Sequence, residues 1–488
     1  MPSNLRSSFP QYAIVTLVAS ALFTWILTLA PGLSGVDGYF HIQFSKEIWQ
    51  NGIPDTFTHL VYTIYSNNFA DDHFLFHIIQ IPFTFGNLLI GAKVYGVIFA
   101  TLVILIFFII LNHHHIRFAP VWTLILLASS APFLVRVCMA RAPGISLCTL
   151  LVATYLVLAK KDRWLVFISA FYVWLYGGFP LVAGLAGSVF AASLFTQKKR
   201  PHVLLYCGLG IVLGLVIHPY FPHNIVFLFK SYTQIEFADV VSAGNEDYPY
   251  PSSTVVRNAL LPWALMLATT TFFFLKSETL SSSARILFIF STLLLCMYMN
   301  VRRFVEYWPV FAILFSAFAL NPHLVTIDIQ KLWSSYKGKL IIGSIGLMIA
   351  LCGWDTLDHV ADYRRGDRKP DTYAGAATYL REASEQNAIV FTGDWDDFPL
   401  LYHFNTHNRY IVGLDPHYLY YYDAYLYKLW QGITEGEKSD PVSKIRDNFH
   451  AQYIFCLKKH TDFLDSLKRD PTLPAPAYED KFAVVYKL

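Results

Sequence analysis

Charged side chains are scarce in this chain of 488 residues. Asp, Glu, Lys and Arg together make up 15% of it, against about 25% in an ordinary soluble domain. Apolar residues reach 55% and aromatic residues 17%, which is more apolar surface than a soluble fold of this size hides from water. The composition therefore excludes a cytosolic enzyme, a disordered chain and a secreted disulfide scaffold, and it indicates a protein embedded largely in lipid.

Familiar ligand-binding motifs are also missing. The six cysteines form no C-x-x-C pair, so neither a redox motif nor a zinc motif is indicated. The sequence has no G-x-G-x-x-G, P-loop or G-x-S-x-G segment, and it has no internal repeat. Nucleic acid is not an expected partner, because the polar tail has no basic stripe interleaved with aromatic residues.

Long apolar runs are abundant. A membrane span needs about 20 mostly apolar residues, and on that criterion hydropathy predicts about eleven spans. The predicted spans are 12–30, 93–111, 118–136, 143–159, 163–176, 179–196, 202–218, 257–275, 284–300, 303–320 and 339–354. The apolar stretch 74–92 is interrupted by Pro82 and Gly86, and it is predicted as an interfacial helix or a further span.

The positions of Lys and Arg predict the orientation, because cytoplasmic loops are enriched in them. With the N-terminus in the cytoplasm, the basic segments 160–163 and 198–200 fall on the cytoplasmic side, whereas loops 31–92 and 219–256 fall outside. An odd number of spans then puts the C-terminus outside. We expect a multi-pass protein of a bacterial inner membrane.

The C-terminal quarter differs from the rest. Residues 370–488 hold half of the acidic residues but only a third of the Lys and Arg. Alternating patterns predict helices at 371–386, with Asp371 as N-cap, at 417–430 and at 460–469, and strands at 389–391, 410–412, 452–457 and 482–486. We therefore predict a transmembrane domain at 1–360, with a large outer loop at 31–92, and a soluble three-layer α/β domain at 361–488.

Charged groups near lipid are costly, so their positions point to function. The first cluster follows the first predicted span and contains Asp37, Tyr39 and His41. Asp37 lies at the predicted water–lipid boundary, where a carboxylate can meet both a lipid-borne phosphate and a soluble acceptor. The alternative interpretation is a helix N-cap.

The second cluster is Asp71, Asp72, His73 and His77. In a helix over 72–80, His73 and His77 share one face, with Asp72 beside them. Carboxylates combined with imidazoles bind Mn²⁺, Mg²⁺ or Zn²⁺. A capped interfacial helix fits the same pattern.

The third cluster is Arg302, Arg303 and Glu306, at the outer end of a predicted span. Arginine suits bidentate phosphate binding, and Glu306 is spaced to orient Arg303. The alternative is a structural Arg–Glu pair inside the bundle. Glu246 lies in the loop 219–256, which is either a mobile acidic loop over the site or a plain turn.

In the tail, Trp395, Asp396 and Asp397 directly follow a predicted strand. Such loops are common ligand sites in α/β domains, although Asp is also an ordinary turn residue.

Two motifs resemble a known family. Asp37-Gly38-Tyr39-Phe40-His41 followed by Asn51-Gly52-Ile53-Pro54 resembles the first external loop of GT-C membrane glycosyltransferases. It is most similar to the catalytic subunit of oligosaccharyltransferase, whose pattern is D-x-Y-Y/F-x followed by G-F/I-P. Asp394-Trp395-Asp396-Asp397-Phe398 stands in place of that family's W-W-D-Y-G motif. The resemblance implies a polytopic α-helical membrane fold with about 11 to 13 spans and an extracytoplasmic C-terminal α/β domain.

The resemblance also implies roles for individual residues. Asp37 would bind a divalent metal, Mn or Mg, and help to position or activate the acceptor. Asp71 or Asp72 would serve as a second acid, and Arg302 or Arg303 would hold the phosphate of a lipid-linked donor. The resemblance further implies a loop glutamate at Glu246 and an acceptor-side site at Trp395, Asp396 and Asp397. From the clusters themselves we add Asp72, His73 and His77 as candidate metal ligands and supporting roles for Tyr39, His41 and Glu306.

The sequence departs from the family in two places. Residues 136–144 lack the family's D-x-D/E motif, and the W-W-D-Y-G match keeps only Trp395 and Asp396. Because that motif recognises the Ser/Thr of a glycosylation sequon, we expect an acceptor other than a sequon asparagine.

We therefore expect an inverting glycosyltransferase in contact with membrane lipids. It would take a sugar from a polyprenyl-phosphate-linked donor to a glycan, lipid or protein acceptor. A transporter or lipid-carrier flippase is the rival class, for which inverted repeats and broken helices near the midplane are typical. The third possible class is a non-catalytic protein that scaffolds a sugar-polymer assembly.

Overall fold

The computed structural model describes residues 4–66, 69–233 and 244–488. The chain divides into two compact units, each assembled from three separate stretches. The first unit contains residues 1–30, 93–217 and 245–366, and the second contains 31–92, 218–244 and 367–488. The predicted outer loop 31–92 therefore belongs to the same unit as the polar tail.

The first unit is helical. The described residues include five helices long and apolar enough to cross a membrane, namely Pro10–Thr28 (within the helix Asn4–Thr28), Leu88–His113, Ser282–Asn300, Trp308–Val325 and Tyr336–Arg365. Ala119–Leu127 and Ala131–Val137 make a sixth if they are taken together, although they are bent by 91°. The other helices are Ala142–Leu158, Leu165–Leu175, Pro180–Ser193, His202–Val216, Ser252–Arg257, Leu260–Lys276 and Ile329–Ser334. Short 3-10 turns lie at Asp162–Trp164, Asn245–Asp247 and Arg302–Glu306.

Every predicted span falls on a helix or, for 118–136, on the bent pair. The bend has a local cause in the sequence. Ser130 caps the second helix, because its hydroxyl accepts a hydrogen bond from the Phe133 amide at 3.2 Å. Pro132 in the first turn also favours a new helix start. The bend places Arg136 in the last turn of a short helix.

The tail in the second unit forms a five-stranded sheet. Its strands are β1 (Ile389–Thr392), β2 (Arg409–Tyr410), β3 (Tyr453–Leu457), β4 (Pro476–Glu479) and β5 (Ala483–Lys487), in the order β2-β1-β3-β5-β4. β1 is parallel to β2 and β3, whereas β5 is antiparallel to β3 and β4. The helices of the tail are Asp371–Ala383, Phe398–Phe404, His417–Tyr422, Ala424–Thr434, Pro441–Phe449 and Thr461–Arg469, with a 3-10 turn at Trp395–Asp397. β3 is buried along its whole length, as expected for a strand covered on both faces.

The predicted α/β tail is confirmed, with local corrections. The predicted helix 417–430 is two helices, because the Asp423 carboxylate accepts from the amides of Tyr425 (2.8 Å) and Leu426 (3.1 Å) and starts the second one. Asp371 is the first helical residue, and the N-cap position is held by Pro370. The strand predicted at 410–412 ends at Tyr410. The helices Phe398–Phe404 and Pro441–Phe449 and the strand β4 were not predicted.

The stretch 31–92 contributes the helices Asp37–Asn51 and Phe74–Gln80 and the 3-10 turn Ile81–Thr84. It also extends the sheet. The Tyr410 amide donates to the His59 carbonyl at 2.8 Å, and the Val61 amide donates to the Tyr410 carbonyl at 2.9 Å. Backbone pairing therefore covers the edge of β2, which would otherwise be open. The remaining helix of this unit is His223–Thr233.

Arg364 closes the end of the first helix. Its guanidinium is fully buried and donates to the carbonyls of Ile26 (3.1 Å) and Leu27 (3.4 Å), at the end of the helix Asn4–Thr28. The last four carbonyls of a helix have no partner within it, so Arg364 satisfies groups that are otherwise unpaired.

We predict that Arg364→Met destabilises the protein by about 2 kcal/mol, because hydrogen bonds to a charged group contribute roughly 1.5–3 kcal/mol. The measurement is the midpoint of thermal unfolding in detergent. The neighbouring Arg365 is exposed and pairs with Asp362, so Arg365→Met serves as the matched control. An equal loss in both variants would contradict the assignment.

Candidate functional site

Asp37 is the first residue of the helix Asp37–Asn51. The N-cap position is held by Val36, so the interpretation of Asp37 as an N-cap is wrong. A carboxylate in the first turn is stabilised by the helix dipole. The hydroxyl of Tyr39, in the first turn, accepts a hydrogen bond from the Leu33 amide at 2.9 Å, which ties the chain before the helix to the helix itself.

A chain of hydrogen bonds links His41 to Asp71. His41 Nδ1 lies 2.8 Å from His77 Nε2, and His77 Nδ1 lies 2.7 Å from Asp71 Oδ2. All three side chains are buried. Both ring nitrogens of His77 are thus engaged within the protein, and its predicted role as a metal ligand does not match this geometry.

Asp72 and His73 form a separate pair, with Oδ1 and Nδ1 2.7 Å apart. The helix begins at Phe74, so His73 precedes it and does not share a helical face with His77 as predicted. Ligand atoms of Asp71, Asp72 and His73 lie within 4.8 Å of one another. Two carboxylates and an imidazole are a suitable donor set for Mn²⁺ or Zn²⁺. Among the described residues Asp37 does not join this group, contrary to the predicted ligand set.

The loop after β1 carries the predicted acceptor-side residues. The Asp394 carboxylate accepts from the Asp396 amide at 3.1 Å, and Arg368 Nη2 donates to Asp396 Oδ2 at 2.7 Å. Burial raises the pKa of Asp396 to about 6 against the opposing charge of Arg368. The Asp37 carboxylate adds to this rise in pKa, so Asp37 and Asp396 lie near each other.

Asp397 and Trp395 differ in exposure. Asp397 is fully buried and accepts a hydrogen bond from the Tyr373 hydroxyl at 2.6 Å, so its side chain does not reach an acceptor directly, contrary to its predicted role. Trp395 is partly buried against the core of the tail. Trp395 and Asp396 remain the candidates for acceptor contact.

In the first unit, Arg136 holds two glutamates. Its Nε donates to Glu306 Oε1 at 2.5 Å, and its Nη atoms donate to the Glu246 carboxylate at 3.0 and 3.1 Å. Arg141 donates to Glu246 at 2.9 Å. Burial raises the pKa of Glu246, but Arg141 and Arg136 outweigh it and hold that pKa well below its usual value. Glu306 therefore pairs with Arg136 and not with Arg303 as predicted, and Glu246 is held in a bidentate contact. Residues 234–243 of the predicted loop lie outside the described residues.

The two candidate phosphate ligands have different partners. Arg303 forms an ion pair with Asp247. Arg302 donates to the carbonyls of Tyr248 and Pro249, both at 3.0 Å, and lies over the Tyr250 ring. The partners of Arg302 among the described residues are thus uncharged, and they do not neutralise its positive charge.

Sequence reasoning missed several residues of these clusters. Arg368 and Tyr373, which hold the loop after β1, were not predicted. Arg136 was recognisable as an arginine at the outer end of a predicted span, but its contact with Glu246 was not predicted. His403 and His460 lie in the tail without any sequence motif.

Solved structures share this architecture across nearly the whole chain. The apo oligosaccharyltransferase of Archaeoglobus fulgidus matches with a TM-score of 0.69 at 13% identity, over 96% of this chain and 72% of that one. ArnT from Cupriavidus metallidurans bound to undecaprenyl phosphate matches with a TM-score of 0.59 at 15% identity, over 98% and 97%. The fold is that of the GT-C membrane glycosyltransferases.

A second structure of the Archaeoglobus fulgidus enzyme, tethered to an acceptor peptide containing the NVT sequon, matches with a TM-score of 0.61 at 12% identity, over 94% of this chain and 71% of that one. Comparison with protein families and with curated proteins gave no match. The predicted GT-C resemblance and the polytopic helical fold with a C-terminal α/β region are confirmed.

His403 provides a pH-dependent test of the packing around Tyr39. The two rings meet edge to face, with centroids 5.2 Å apart. Burial lowers the pKa of His403 from 6.5 to about 4, although a hydrogen bond with the Tyr39 backbone opposes this shift. Between pH 4 and 6.5 the His403 imidazole is protonated in the unfolded chain but neutral in the folded protein, so protonation favours unfolding.

We therefore predict that the contribution of His403 to the free energy of unfolding is fully present above pH 6.5 and is lost as the pH falls through 4. The midpoint of thermal unfolding of the native protein should fall more steeply over this range than that of His403→Gln. Parallel curves for the two proteins would show that His403 is not buried in its neutral form.

Proposed function

We propose that the protein is an inverting glycosyltransferase of a bacterial inner membrane. It transfers a sugar from a polyprenyl-phosphate- or diphosphate-linked donor to an extracytoplasmic glycan, lipid or protein, with the N-terminus in the cytoplasm and the tail outside. Support comes from two structures of the same fold, one tethered to an acceptor peptide and one bound to undecaprenyl phosphate.

The observation that carries the proposal is the proximity of Asp37 to Asp396. The predicted catalytic carboxylate affects the ionisation of the predicted acceptor-side carboxylate, although the two are far apart in sequence. Asp37 accepts the proton of the acceptor O–H or N–H as that atom bonds to the anomeric carbon. The bond from this carbon to the phosphate oxygen breaks on the opposite side, and its electron pair leaves with the phosphate, which inverts the configuration.

A divalent cation, Mn²⁺ or Mg²⁺, is the proposed cofactor, and Asp71, Asp72 and His73 are the residues that would hold it. Such an ion supplies positive charge against a departing phosphate.

Arg302 is the proposed ligand of the donor phosphate. A guanidinium binds phosphate oxygens in a bidentate manner. Arg303 would first have to give up its ion pair with Asp247, whereas the contacts of Arg302 within the described part of the chain are to two carbonyls and the Tyr250 ring.

Asp37→Asn tests the proposed base. We expect the rate of sugar transfer to fall at least about 100-fold, since a positioned general base contributes roughly 10²–10⁴. The assay measures transfer from a panel of radiolabelled polyprenyl-phosphate and polyprenyl-diphosphate sugars. Asp55→Asn, at an exposed position of the same stretch, is the control and should retain the native rate. Native activity of a folded Asp37→Asn protein would disprove the role of Asp37.

Arg302→Gln and Arg303→Gln test the phosphate assignment. We expect Arg302→Gln to raise the KM for the lipid-linked donor about tenfold, which corresponds to the loss of 1.4 kcal/mol of binding. Arg303→Gln should have the smaller effect, because the charge of Arg303 is already paired. A larger rise in KM for Arg303→Gln than for Arg302→Gln would show that Arg303 is the ligand of the donor phosphate.

A further inference from the structure

A second group of acid and imidazole side chains lies at one end of the tail sheet. Asp394 and Asp397 follow β1, and His460 follows β3, which lies parallel and adjacent to β1. The chain runs from β1 outward to β2 and then back past β1 to β3. The crevice beyond the carboxyl ends of β1 and β3 is therefore the topological switch point of the sheet, where open α/β sheets bind ligands.

The three side chains point at one another without forming hydrogen bonds. His460 Nε2 lies 3.8 Å from Asp397 Oδ2 and 3.9 Å from Asp394 Oδ2, beyond the roughly 3.2 Å limit of an N–H···O bond. Both His460 Nε2 and Asp397 Oδ2 are buried atoms that have no hydrogen-bond partner among the described residues. Asp397 itself is fully buried, and a buried carboxylate oxygen that accepts no hydrogen bond is costly, even with an imidazole 3.8 Å away.

We propose that Asp394, Asp397 and His460 bind a divalent transition-metal ion, Zn²⁺ or Mn²⁺. Ligand atoms of the three residues lie within 4.8 Å of one another. The His460 Nε2 atom lies 3.8–3.9 Å from the two carboxylate oxygens, which is within the roughly 4 Å that can separate two ligand atoms each bonded at about 2 Å to one ion. The imidazole favours Zn²⁺ or Mn²⁺ over Ca²⁺, which prefers oxygen ligands alone.

The surroundings of Asp397 support this assignment. Tyr373 donates to its other oxygen, Oδ1, at 2.6 Å, the length of a hydrogen bond to an ionised carboxylate. Hydrogen bonds of this kind orient metal ligands. The ion would fix the turn Trp395–Asp397, which carries the proposed acceptor-side residues Trp395 and Asp396. The site involves none of the residues proposed to bind the donor or its cation.

The test uses the full-length protein in detergent, treated with EDTA and desalted. It is dialysed against ZnCl₂ or MnCl₂, and bound metal is counted by mass spectrometry. We expect His460→Ala to bind one equivalent less than the native protein and to lose the rise in unfolding temperature that the metal produces. Tyr373→Phe should weaken binding about 10- to 100-fold. If His460→Ala does not fold, Asp394→Asn replaces it.

Two controls separate this site from its alternatives. Asp415 and His417 form another Asp–His pair in the tail, at 2.7 Å, and Asp415→Asn should keep the native metal content. His73→Ala should keep the equivalent that depends on His460, even if the proposed glycosyl transfer fails. Equal metal content in the native protein and in His460→Ala would overturn the proposal.

Discussion

The backbone pairing between Tyr410 and the segment His59–Val61 is the contact on which the second unit depends. It uses both the amide and the carbonyl of Tyr410, so the stretch 31–92 extends the sheet at an edge that would otherwise attract other strands. Aromatic packing reinforces this contact, since Phe40 and Phe57 meet Tyr402 with centroids 5.7 and 5.8 Å apart. The stretch that carries Asp37 is thereby fixed against the tail that carries Asp396.

Charge balance explains the arrangement in the first unit. Arg136, Arg141 and Arg303 face Glu246, Glu306 and Asp247, so three cations meet three anions. Burial raises the pKa of Glu306 even though Arg136 opposes it, whereas the more exposed Glu246 is held below its usual pKa. Within the part of the chain that the structure describes, Arg302 is the cation of this group whose partners are neutral. An anionic donor would supply the missing negative charge.

The sequence predicts the positions of the helices in the first unit well, although among the described residues only five helices, or six with the bent pair, are long and apolar enough to cross a membrane. A spanning chain must satisfy its backbone internally, so long apolar runs become helices. The strands β1 and β3 could also be predicted, because a strand that is buried on both faces is a short apolar run in the sequence. The partners of the ion pairs could not be predicted from the sequence in this way. The spacing of Arg303 and Glu306 predicted an ion pair between them. Arg303 instead pairs with Asp247, and the buried Glu306 pairs with Arg136, which lies on a helix distant in sequence. Tertiary packing determines which charged residues pair, and the spacing of residues along the chain does not reveal it.

The two acid–histidine groups of the second unit illustrate the same limit. By sequence, Asp71, Asp72, His73 and His77 form the denser motif. In the folded chain they already form hydrogen bonds of 2.7 Å with one another, and the proposed cation would have to replace the one between Asp72 and His73. Asp394, Asp397 and His460 are scattered in sequence, yet folding brings them together at 3.8–3.9 Å with buried atoms left unsatisfied. The need for a ligand is therefore greater where the sequence motif is weaker.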